Sequence, residues 1–268
     1  MVAVLTPYWQ VARRSFRRFS TYRSATLAGV FTNTVFGFLK VYVLLAVMRQ
    51  RVHVGSFDAV DVVTFTFVSQ GFLATVGLGG TLELGDRIQT GDVVSDLYRP
   101  LHFAGYWLAQ DLGQAAYQAV ARGIPPVLIA GVFFRLRLPP DVMTWAAFVV
   151  SLVLACTAGF AYRFIVGLTG FWLLDIRGLW QLAVLALWFF SGFLVPLTFF
   201  PPTLGHIARL LPFAAFVQIP VEVFLGKHHG AGGLAAALGM QALWVLALLG
   251  AAEWMAARGF RKVVVQGG

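Results

Sequence analysis

The chain has 268 residues, 59% of them hydrophobic and only 12% charged, with a formal charge of +9 and a mean hydropathy of +0.79. Soluble domains carry roughly twice that charged fraction, so a water-soluble enzyme or nucleic-acid-binding domain is excluded; the Lys and Arg flank apolar runs instead of forming a basic stripe. What remains is an all-α integral membrane protein, one domain over 1–268 with six transmembrane helices.

Residues 1–23 read as an amphipathic interfacial helix. Leu5, Tyr8, Trp9, Ala12, Phe16 and Phe19 share one side of a helical wheel, and Arg13, Arg14, Arg17 and Arg18 the other. That split sets aromatics in the acyl boundary and arginines at the phosphates; a bare topology signal with no defined helix has the same composition. The next apolar run is too long for the core of a cleavable leader, and no small-residue cleavage site follows it. Span one is expected over 24–48 and span two over 60–81, each near the 20 or so apolar residues that a bilayer core requires. The polar stretch 82–100 interrupts. Span three runs over 103–134, broken by Pro125-Pro126. Span four, 142–170, is long enough to tilt or to project beyond the bilayer. Span five is expected over 178–197 and span six over 233–256. Between them, Pro196, Pro201, Pro202, Pro212 and Pro220 forbid one straight helix. The intervening Phe199, Phe200, Leu211, Phe213 and Phe216 avoid water, so 198–226 is read as short outer re-entrant helices; a loop resting on headgroups is the other reading.

Orientation follows from the basic residues outside the spans. Arg13, Arg14, Arg17, Arg18, Arg23, Arg87, Arg99, Arg177, Arg258, Arg261 and Lys262 fall on one side, and Arg49, Arg51, Arg135, Arg137, Arg209 and Lys227 on the other. The richer side is cytoplasmic by the positive-inside rule, which places both termini inside. Three Lys or Arg, at Lys40, Arg122 and Arg163, fall inside spans, as do Asp61 and Asp111. Each is costly in lipid, and each either touches cargo or a coupling ion, or pairs with a neighbouring helix or the headgroups. Few lysines beside many arginines, with abundant Ala, Gly and Val, suit a GC-rich bacterial genome.

Two segments carry the functional reading. Within 82–100, Asp86, Arg87, Gln89, Gly91, Asp92 and Asp96 mix both charge signs with Ile88 and Val93. A short helix with apolar anchors and a charged rim suits a docking element; a solvated connector is the plain alternative. Phe65 and Phe72 on span two, with Phe189 and Phe193 on span five, could line an apolar cavity, or equally face lipid.

Ile88, Gly91, Asp92, Leu97, Arg99 and Pro100, then Trp172, Gly178, Ser191-Gly192 to Pro196, Leu211-Pro212-Phe213 and Pro220 with Gly226, occur in this order. This series resembles the type-2, exporter-class permeases of bacterial ABC transporters over about 85–226; Tyr98 departs from the usual aliphatic or arginine. The resemblance implies a cytoplasmic coupling helix at 82–100 and an outer lid with Pro196, Pro201, Pro212 and Phe213. It also implies spans two and five facing a path for amphipathic or hydrophobic cargo. The expected partners are two ABC ATPase subunits, a second permease in a homodimer or heterodimer, and membrane lipid, but no nucleic acid. ATP and Mg would bind the ATPase and no cofactor this chain. The location implied is the bacterial plasma membrane.

No P-loop, HExxH or G-x-S-x-G motif occurs, so no nucleotide or hydrolytic site is read here. His228-His229 lacks further ligands for a metal and reads as solvated loop. Cys156 stands alone, which leaves no intrachain disulfide. Two alternatives stay open: an ion-gradient-driven secondary transporter relaying through Asp61, Asp111 and Arg122, and an intramembrane lipid enzyme, for which no convergent residue set is visible.

Overall fold

Apolar runs of this length can satisfy their backbone in lipid only as helices. The computed structural model describes residues 2–49, 53–80, 83–228 and 230–262, without the side chains of 2–5. Arg51, His229, the side chain of Leu5 and the first residue of the 82–100 segment therefore lie outside the described residues. Among the described residues no β-strand occurs, only an isolated bridge between Val54 and Phe57.

Helix α1 (Val2–Ser20) turns at Thr21 into α2 (Arg23–Met48). Helix α3 (Ala59–Phe72) opens on a capping box: Asp58 accepts from the Asp61 N–H and Asp61 from the Asp58 N–H, satisfying two donors that lack a partner at any helix start. It continues as a π-helical turn, Leu73–Gly77, and ends at Gly77, whose φ of +72° suits only glycine. Helices α4 (Glu83–Thr90) and α5 (Val93–Leu97) fill the connection to α6 (Phe103–Gln118). A second π turn, Ala119–Gly123, joins α6 to α7 (Ile124–Phe133). Helix α8 (Val142–Leu168) is capped by Asp141, which accepts from the Thr144 N–H at 2.7 Å. Then come α9 (Arg177–Phe190), α10 (Pro202–Leu210), α11 (Gln218–Phe224) and α12 (Gly230–Gly259).

Among the described residues, five helical stretches are long and apolar enough to cross a membrane: Arg23–Met48, Ala59–Gly77, Phe103–Phe133, Val142–Phe171 and Gly230–Lys262. The bent pair Pro202–Leu210 and Pro212–Phe224, with 72° between its halves, makes up to six. Residues 142–170 thus form one uninterrupted helical stretch, long enough for a single crossing. Pro125 and Pro126 do not break span three, because they occupy the first turn of α7, where no backbone N–H partner is needed.

Span five is corrected. Its helix stops at Phe190, short of 197, because Gly192 adopts φ +84°. Fourteen residues rise about 21 Å, less than the ~30 Å hydrocarbon core. Trp188 Nε1 donates to the Leu78 carbonyl at 2.8 Å, which ties the end of α9 to the Glu83 end of span two. The bent α10–α11 pair follows it, with the Gln218 N–H donating to the Ser191 carbonyl at 3.0 Å just past the end of α9.

Span two is the centre of the bundle, with nearly all of Asp61–Phe72 buried. Around it the core gathers Phe57, Phe65, Leu187, Phe216 and Phe224. Spans four and six are joined by Gln241, which is fully buried. Its Oε1 accepts from Ser151 Oγ at 2.6 Å, and its Nε2 donates to the carbonyls of Ser151 and Ala215. Helix α1 lies along α6: a Cβ on Gly113 would overlap the Ala12 carbonyl, and Phe16 meets Tyr117 edge to face.

Candidate functional site

At one end of the bundle α4 and α5 form an elbow. Gly91 makes the turn at φ +82° with no neighbour that a side chain would strike, so the requirement there is conformational. Apolar residues bind the elbow downward. Leu84 and Val93 are buried with Phe103, Phe160 and Phe164, and Ile88 packs beside Gly170 at the end of α8. Asp96, with its side chain only 2% exposed, staples the two helices. Arg87 Nε donates to it at 2.7 Å and Arg99 stands 3.0 Å away. Arg99 also lies over the Tyr106 ring, at 4.2 Å.

The eight residues expected to meet a partner therefore separate into two groups. Arg87, Ile88, Val93 and Asp96 point into the elbow and its support. Asp86, Gln89, Gly91 and Asp92 are exposed, and Gln89 donates to the Leu174 carbonyl at 3.0 Å. Tyr98, at 80% exposed, joins them. The exposed rim is thus acidic and polar with one aromatic, while the apolar anchors are turned inward.

Beside the elbow, Arg163 donates to Asp111 Oδ1 at 2.6 Å and to the carbonyls of Val76 and Gly77. The guanidinium so caps carbonyls at the end of span two, the Gly77 one shared with the Gly80 N–H, and pairs with the Asp111 carboxylate. Glu83, Gln110 and Gln114 complete a narrow polar cavity here.

The opposite end is closed by two ion-pair clusters. In the first, Asp61 is buried between Arg137 at 3.1 Å and Lys227 at 2.5 Å, and Arg137 also holds Asp58 at 2.7 Å. This joins the start of α3, the α7–α8 connection and the exit of α11. In the second, Arg209 grips Glu222 with both terminal nitrogens, at 2.6 and 3.0 Å, and Gln218 donates to Glu222 at 2.7 Å. Gln218 Oε1 in turn accepts from the Leu197 N–H, and its backbone N–H donates to the Ser191 carbonyl. His228, read as solvated, is half-buried with Nε2 at 3.7 Å from Glu222. Sequence reasoning passed over Glu222 and Gln218. The available signal was that Glu222 is the one acid in 198–226 and has Gln218 one turn earlier.

The expected aromatic path is not assembled as one surface. Phe65 has no exposed area and packs against Phe57, because span two is enclosed by its own chain. Phe72 is buried too, stacked on Phe148 beside an apolar cavity. Phe193 is buried against Trp188, where its carbonyl accepts from Lys40. Phe189 alone keeps an open face, at 40% exposed. Of the lid residues, Pro196 is buried, Pro201 is exposed and Pro212 is half-buried. Phe213 packs against Tyr162 and Phe190. Arg122 lies flat over Gly29, with its buried Nε unpaired.

A model of the family described as "ABC-2 family transporter protein" matches residues 31–267. No curated protein matches the chain.

Proposed function

The chain belongs to the ABC-2 transporter family, and from that premise we propose that it is the permease half of an ATP-driven exporter for amphipathic or hydrophobic cargo. As a multi-pass membrane protein of this family it is a transport component. Our reading adds direction, partners and coupling. The Glu83 end is cytoplasmic, both termini lie inside the bacterial plasma membrane, and α1 lies at the inner interface. Two ATPase subunits, holding ATP and Mg, dock there. A second permease, identical or related, completes the path.

The observation that carries the coupling role is the elbow itself. Its underside is fixed to spans three and four by Leu84, Ile88 and Val93, and its two helices are stapled by Arg87 and Asp96. Its outer rim offers Asp86, Gln89, Asp92 and Tyr98. An element fastened in this way transmits displacement as a body, as coupling between distant sites requires. The 198–226 segment is read as the outer lid, held shut by the Asp61 and Glu222 clusters. Asp61 and Asp111 are each tied to cations, so a proton relay through them draws no support.

The test is a charge reversal on the rim, Asp92→Lys, with Tyr98→Ala beside it. Both should leave the permease folded and stop ATP hydrolysis from driving export. Wild-type export by both, or transport by the purified permease on an ion gradient alone, sinks the reading. Val93→Pro is not a suitable probe, because Val93 is buried in the support.

A further inference from the structure

At the two π turns the packing of span three changes. Below, α6 packs on α8; above, α7 packs on α2 and α3. The second turn meets the last turn of α3 backbone to backbone, since a Cβ on Gly71 would lie 2.8 Å from the Gly123 carbonyl. With α7 held to that side, an apolar cavity of about 380 Å³ opens between it and α8. Phe72, Val127, Phe148 and Leu152 line it, and exposed Leu128 and Trp145 stand at its rim. π turns within helices recur at functional positions.

We propose that this slot binds one acyl chain of a bilayer phospholipid. The inference needs only the membrane embedding and not ATP-driven export. The Thr75 hydroxyl at the cavity floor already donates to the Gly71 carbonyl at 2.8 Å, so water entering would find few partners. Apolar cavities of about 150 Å³ stay dry and accept apolar guests, and this one is more than twice that size. Its rim is apolar and lies within the spans, so hydrocarbon is what surrounds it. Along span three it extends from Ala119 to Leu128, about 14 Å of helix, a length that suits a linear chain. Exposed Arg135, three residues before the lining residue Leu138, supplies a charge for the phosphate.

The full chain in nanodiscs, carrying phosphatidylcholine with a diazirine at the chain terminus, tests this on illumination. Labelling on residues 124–128 and 145–152 should exceed that on the exposed Leu243 and Leu246 of α12 by about fivefold, equivalent to roughly 1 kcal/mol of preferential occupancy. Leu152→Trp, which fills the slot, should remove the excess, and Leu246→Trp should keep it. Diacylglycerol bearing the same chain should label the slot several-fold less. Equal labelling of both faces in the wild-type chain overturns the site whether or not Leu152→Trp folds. Equal labelling by diacylglycerol overturns the phospholipid assignment in favour of any apolar guest, cargo included.

Discussion

Asp96 shows how much one side chain decides. Its place in an acidic, polar stretch predicts a partner-facing acid, but burial and two arginines make it the internal acceptor of the elbow. Asp96→Ala leaves Arg87 and Arg99 without their carboxylate, at an expected cost of about 1–3 kcal/mol. Faster hydrogen exchange over 83–99 measures it. Asp58 gives a pH test at the other end. Burial alone would raise its carboxyl, but the Asp61 N–H, the Arg137 guanidinium and Lys227 hold it below the ordinary 3.8. A folded value below the unfolded one means that the stabilisation is complete above about pH 3.8 and is lost as pH falls through the lower folded value. Exchange protection of 53–64 should fall in acid, and Asp58→Asn should flatten that dependence. Residue type marked Asp96 and, in the cluster at the other end, Asp61 as functional or paired, and gave no sign of Asp58. Which of the two applies depends on partners 79 or 166 positions away, and no local pattern encodes them.

At the scale of elements, hydropathy found the long helices because lipid leaves the backbone no other choice. It could not find their interruptions. Leu73–Gly77 and Ala119–Gly123 carry no turn residues beyond a closing glycine that would mark a π turn, and the close approach of Gly71 to Gly123 beside them is visible only in the fold. Span five was overextended for a related reason: Ser191–Pro196 is apolar enough to continue a helix, and only the φ of Gly192 reveals the stop. A helix at the start of the chain was legible, and α1 spans Val2–Ser20. Its tightest contact on α6 is at Gly113, so Gly113→Leu should lift α1 away and expose the α1–α2 turn to protease while the spans stay folded. Gln241→Leu deletes the polar contact between spans four and six. Interhelical bonds in membranes average about 0.6 kcal/mol and reach about 1.7, so a loss of roughly 1–2 kcal/mol in unfolding from detergent is expected.

For the whole molecule, the class and the order of crossings could be read from residue pattern, and the elbow's position with them. The central place of span two could not, since enclosure by five neighbours leaves no sequence period to mark it. The fifth crossing has the largest mechanical consequence. Here a short helix, α9, is followed by the bent α10–α11 pair, and the hydrogen bonds crossing that joint run through Ser191, Gln218 and Leu197. A continuous helix would have to tilt as a rod from one leaflet to the other. A jointed one, in the transporter proposed above, would let α10–α11 shift against α9 while Trp188 keeps α9 moored to Leu78.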